Sequence, residues 1–173
     1  MSITLLTLDP GTEQSGIALF KNGKLDDVEV LRVKDTQGNK EQRASYMARK
    51  VILWAEDRKA LKKARIVIEY PRVYPKGAGK QSESDPDDIL SLVLVVGHLW
   101  AEAHGINDNI VSLVRPADWK GQVPKAVMVR RIISTLDATE QALAENKVRN
   151  NHNAMDAVGI GLHALKRPWG SGT

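Results

Sequence analysis

The sequence predicts an α/β fold, a mixed five-stranded sheet flanked by helices. Two observations carry that expectation. The N-terminal third holds three short apolar runs in hairpin order, followed by helical and strand patterns in alternation, and such an order lays helices on the faces of one sheet. In addition, two apolar runs, Leu5-Leu6-Thr7-Leu8-Asp9 and Ile66-Val67-Ile68-Glu69, stop on an acid just before a turn containing proline.

Taken in order, Ile3 to Asp9 is a buried strand that turns at Pro10-Gly11. Ser15 to Lys21 resumes as the second strand and Lys24 to Val33 is the third, joined through Asn22-Gly23, a strong hairpin signal. A helix follows from about Glu41 to Leu61, with Met47, Val51, Trp54 and Leu61 on one apolar stripe. Arg65 to Glu69 is the fourth strand, and the Pro-, Gly-, Lys- and Ser-rich segment from Pro71 to Pro86 is a candidate substrate flap. Asp87 to His104 reads as a helix closed by Gly105 and started by Ser84, Asp85 or Asp88 as cap. Ile110 to Arg115 is the fifth strand; an Arg-Pro-Ala-Asp-Trp-Lys connection leads to a helix from Lys125 to about Leu136. The last helix runs through His152-Asn153-Ala154-Met155-Asp156-Ala157 to Leu165, and its small residues suit close packing on a sheet.

At 173 residues the chain is expected to form one domain, with no internal repeat or low-complexity linker to divide it. A net charge of +4 agrees with a polyanionic partner such as nucleic acid, though many basic proteins bind none. The absence of cysteine excludes disulfides and thiolate metal sites and fits a reducing cytoplasm. The N-terminus lacks the basic opening of a signal peptide, and Ile89 to Trp100 is too short and too mixed to span a bilayer. A cytoplasmic protein without membrane contact is the expectation.

Asp9 and Glu69 each end a core strand, and Asp156 lies near the start of the last apolar helix. An acid before Pro-Gly is often only a turn residue that accepts from nearby amides. Three such acids converging on one point would repel unless a cation held them. Oxygen-only ligands favour magnesium or manganese, and a pair of these ions can clamp the attacking and leaving oxygens of a phosphodiester. Metal-assisted phosphodiester hydrolysis is the chemistry indicated.

From Leu5-Leu6-Thr7-Leu8-Asp9-Pro10-Gly11-Thr12 through Ile68-Glu69 to Met155-Asp156-Ala157, the chain resembles the RuvC-type Holliday-junction resolvases of the ribonuclease H-like superfamily, above all the short forms found in phages. The resemblance implies a homodimeric nuclease of a bacterial or phage-infected cell that binds four-way DNA junctions. It would cut two strands symmetrically with Mg2+ or Mn2+, two ions being expected. Asp9, Glu69 and Asp156 correspond to three of the family's four active-site residues. The fourth is an Asp or His one helical turn before the last acid, and three-residue spacing lands here on Asn153, which can ligate a metal but cannot act as a base. His152, four residues before Asp156, shares that helical face and has the better chemistry for orienting or deprotonating a water. Asn151, His152 and Asn153 also suit helix capping.

For DNA, the cations available are Lys76 and Lys80 in the flap, Lys120 with Lys125, and Arg130 with Arg131; each can neutralise phosphates, and each can equally be a solvated surface charge. The family keeps substrate-binding lysines after the fifth strand, where Lys120 and Lys125 stand. It also opens the junction with an aromatic residue shortly after the second acid; that offset carries Arg72, with Tyr70 and Tyr74 on either side. Tyr74 can stack on an unpaired base or pack the loop. Trp119 either anchors its connection or stacks on DNA, anchoring being favoured.

Two rivals remain. One is an actin-like or sugar-kinase ATPase, because Asp9-Pro10-Gly11-Thr12 followed by Gly16 resembles that superfamily's phosphate hairpin, though a second phosphate loop is missing. The other is a catalytically impaired junction-binding scaffold, raised by Asn153. Dimerisation surfaces are sought on the Ile89 to Trp100 helix and around Trp54.

Overall fold

The computed structural model describes residues 4–34, 38–62, 64–71, 86–106, 110–148 and 151–169. Five strands form one sheet: β1 (Thr4–Asp9), β2 (Gln14–Lys21), β3 (Lys24–Arg32), β4 (Arg65–Glu69) and β5 (Ile110–Val114), in the order β3-β2-β1-β4-β5. Strands β1 to β3 are antiparallel neighbours, whereas β4 pairs parallel with both β1 and β5. This is the mixed α/β sheet that the order of patterns predicts. At the β2–β3 hairpin both Asn22 (φ 54°) and Gly23 (φ 80°) are left-handed, the geometry that makes Asn-Gly a hairpin signal.

Six helices complete the described chain: α1 (Lys40–Asp57), α2 (Pro86–His104), α3 (Pro116–Trp119), α4 (Lys125–Thr135), α5 (Ala138–Val148) and α6 (His152–Ala164). Alternation of side chains along the strands divides the core in two. Leu6, Leu8, Ile66 and Ile68 pack with α1 and α2 on one face. Leu5, Ala18, Phe20 and Val67 pack with α4, α5 and α6 on the other.

Helix α1 starts with a capping box: Asn39 Oδ1 accepts from the Gln42 N–H at 2.9 Å, and Gln42 Oε1 accepts from the Asn39 N–H at 3.0 Å. It ends at Asp57 rather than continuing to Leu61. Lys59 is left-handed (φ 53°), and the Ala60 and Lys59 amides donate back to Ala55 and Glu56, a Schellman closure that turns the chain while still burying Leu61. Trp54, expected to offer a surface, is buried beneath the Arg58 guanidinium; its neighbour Leu53 is exposed.

Two helices escape the sequence reading. Helix α3 is a single turn that begins at Pro116, inside what reads as a connection. Helix α5 opens on Asp137, whose Oδ1 accepts from the Thr139 and Glu140 amides while Glu140 Oε2 accepts from the Asp137 N–H. The Asp137-Ala138-Thr139-Glu140 spacing is a capping-box signal that would have revealed it. Among the described residues no helix is long and apolar enough to cross a membrane.

What positions the site is the seating of α6. A Cβ on Gly161 would fall 2.0 Å from the Phe20 ring, and one on Gly16 would fall 1.9 Å from the Asn153 carbonyl oxygen. Only glycine at both positions lets the helix lie this close to β2. Thr7 Oγ1 then donates to the Ala157 carbonyl at 2.7 Å, fastening β1 to the same helix.

Candidate active site

Asp9 and Glu69 end adjacent parallel strands, one residue beyond the paired Leu8 and Ile68. Since Leu8 and Ile68 face α1 and α2, alternation turns both acids towards α6. Asp156 lies in the second turn of that helix, one turn beyond its cap. The three acids, far apart in sequence, come within electrostatic reach of one another at the carboxyl ends of β1 and β4.

Their charges are felt mutually. Burial pushes the Asp9 carboxyl well above the usual range, and the nearby Glu69 and Asp156 push it further, against the pull of Lys120 and Lys125. Burial also raises Glu69, with Lys120 and the Trp119 N–H opposing. The cation between two of these acids is an ammonium: Lys120 Nζ lies 2.8 Å from Asp156 Oδ2 and 3.5 Å from Glu69 Oε2. Burial alone would lower the Lys120 pKa, but its hydrogen bond to Asp156 and the charges of Glu69 and Asp9 raise it. No three His, Asp or Glu side chains among the described residues are gathered as metal ligands. Nevertheless, the donor set is all carboxylate oxygen, and the mutual repulsion that raises Asp9 is what a hard divalent cation would relieve.

At the start of α6, Asn151 is the cap: its Oδ1 accepts from the Asn153 and Ala154 amides. Asn153 instead donates from Nδ2 to the Gln14 carbonyl at 2.8 Å, tying its carboxamide to the first residue of β2, where the turn after Asp9 ends. His152 is exposed. Capping therefore accounts for Asn151 but for neither of its two successors.

Lys120 and Lys125 flank a cavity of about 490 Å³ that is also lined by Gly121, Met128 and Asp156. Arg130 is exposed on α4. Arg72, Tyr74, Lys76 and Lys80, together with nearly all of the expected flap and the caps Ser84 and Asp85, lie outside the described residues. Trp119 is an anchor, buried on Gly159 and Ile132, and its role beside Glu69 was not foreseen from the sequence. An indole immediately before a site lysine was the available clue.

Two solved structures match this architecture along almost its entire length. Thermus thermophilus RuvC in complex with a Holliday junction substrate superposes with a TM-score of 0.64 at 17% identity, covering 95% of this chain and 94% of that one. A second Thermus thermophilus RuvC structure gives 0.60 at 17% identity, covering 94% of each chain. The fold is that of RuvC. At this identity the likeness establishes the ribonuclease H-like architecture, and within the RuvC fold the strand-end acids and the α6 acid stand where the sheet brings them together. No protein-family model matches the chain, and no curated protein is significantly similar to it in sequence.

Proposed function

We propose that the chain is a divalent-metal-dependent endonuclease that cleaves branched DNA, four-way junctions foremost. In this reading it is a single-domain enzyme working as a homodimer in the cytoplasm of a bacterial or phage-infected cell. The observation that carries the proposal is the meeting of Asp9, Glu69 and Asp156 at one edge of a RuvC fold, beside Lys120. The fold's solved counterpart was captured with a Holliday junction substrate, which supports the choice of DNA.

Asp9, Glu69 and Asp156 would hold Mg2+ or Mn2+, two ions by preference, supplying an acidified water and charge neutralisation at the departing 3′ oxygen. Lys120, in exchanging Asp156 and Glu69 for a phosphate, would bring the scissile group to the acids. Lys125 and Arg130 would bind flanking phosphates. Of the two candidates for the fourth position, Asn153 is supported by its tie to the Asp9 turn; its Oδ1 is then the group to orient a water or meet the metal. Exposed apolar side chains on α2, Leu90, Leu94 and Trp100, offer the dimer surface.

Cleavage of labelled four-way junction, flap and linear duplex in Mg2+, in Mn2+ and in chelator tests the reading. Paired symmetric nicks in the junction, absent in chelator and in Asp9→Asn, are expected. Junction binding without cutting under every metal condition would overturn it in favour of the scaffold. ATP-dependent stabilisation without DNA cleavage would point to the kinase-like rival.

A further inference from the structure

We infer that Trp119 is a positioning residue for Glu69, fixing one carboxylate oxygen so that the other is presented to the cation site. The inference rests on the reading of Asp9, Glu69 and Asp156 as that site.

The indole Nε1–H donates to Glu69 Oε2 at 2.6 Å, the same oxygen that lies 3.5 Å from Lys120 Nζ. Oε2 thus takes the indole N–H and faces the ammonium, and among the described residues no donor reaches Oε1, the oxygen left for a ligand. A carboxylate on a short strand end can rotate about its side-chain torsions, and a fixed donor on one oxygen removes that freedom. The indole is itself immobile: Trp119 is 4% exposed, and its ring occupies the volume that a Cβ on Gly159 would take, at 2.4 Å from Cζ3. Gly159 lies three residues beyond Asp156, on the same face of α6. One side chain therefore touches the helix carrying Asp156 and the acid ending β4, setting their relative position. Helix α3 is what delivers it: Pro116 starts the turn, and Asp118 Oδ2 accepts from the Arg115 amide at 3.1 Å to hold it.

The test is calorimetric titration of Mn2+ into the full-length protein without DNA, comparing wild type, Trp119→Phe and Glu69→Gln. Trp119→Phe deletes the donor together with the outer-ring atoms Cζ3 and Cη2 that lie over Gly159. About tenfold weaker Mn2+ binding is expected, as for loss of a donor that orients a metal ligand, beside a drop in melting temperature from the smaller ring that the near-isosteric benzothienylalanine should largely avoid. If Trp119→Phe does not fold, Trp119 is replaced by benzothienylalanine, in which sulfur stands where the indole N–H was. Undiminished Mn2+ affinity in a folded variant, while Glu69→Gln loses it, would overturn the inference and leave the cation site standing. Undiminished affinity in Glu69→Gln as well would remove the cation site and the inference together.

Discussion

Lys120 Nζ stands 2.8 Å from Asp156 Oδ2, in a partly buried pair whose side chains are 26% and 16% exposed. The chain thus brings its own cation to the acids. In chelator, Lys120→Met is expected to be less stable than wild type by about 1–3 kcal/mol, the worth of a charged hydrogen bond left half made. Millimolar Mn2+ should restore the loss, and cleavage should fall even when metal is saturating. Melting curves with and without Mn2+, run beside the cleavage assay, check both halves; equal destabilisation in chelator and in Mn2+ would contradict the exchange of lysine for metal.

Asp9 carries the opposite sign. Burial, Glu69 and Asp156 raise its pKa, so the folded state holds the proton more tightly than the unfolded chain. Stability is then lost as pH rises from the ordinary carboxylate range through the raised value. Asp9→Asn should melt higher than wild type at neutral pH in chelator, an advantage that fades below the ordinary carboxylate range. The same variant should bind junctions and fail to cut them. A lower melting temperature at neutral pH would refute the electrostatic account.

Glu140 supplies a structural contrast. Burial pushes its pKa up, but Arg167 at 2.7 Å and the amides of Asp137 and Leu25 outweigh that and hold it below the usual range. Its contribution is present above the unfolded carboxylate pKa and is lost as pH falls through the lowered folded value. Glu140→Gln, which leaves Arg167 facing a neutral partner, should cost about 3 kcal/mol at neutral pH. The deficit should shrink on acidification, as denaturant titrations at several pH values would show.

At the fourth position, His152→Ala is expected to leave cleavage within about twofold, because the imidazole is exposed, whereas Asn153→Ala should reduce it by about tenfold or more. Metal-saturated turnover on a junction decides between them, and a reversed ranking would return the role to His152.

Gly16→Ala probes the seat of α6. Its Cβ would fall within 2.6 Å of three Asn153–Ala154 backbone atoms, so the helix must lift from β2. A stability loss of about 1–3 kcal/mol is expected, and Asp156 would move from its partners with it. Thermal melting and Mn2+ titration should both report the change; wild-type values in both would mean that the helix shifts at no cost.

Much of this was legible in the chain. Strand ends at Asp9 and Glu69 follow from apolar runs stopped by proline-containing turns, and Asn22-Gly23 specifies its hairpin locally. Helix α1 was read too long because its apolar stripe continues to Leu61, while the left-handed Lys59 that ends it has no compositional mark. The Trp119 to Glu69 bond was illegible for a different reason: it depends on how α3 docks against β4, a tertiary distance between residues that share no local pattern.

The parallel pairing of β1 with β4 and the docking of α6 have a consequence in time. On a chain emerging from the ribosome, Asp9 and Glu69 are made long before Asp156, and the loops joining them must close before the three carboxylates can meet. A nascent or truncated chain ending before α6 holds two acids and no complete centre. The cluster of three acids thus forms only when synthesis reaches the helix that also seals the second core.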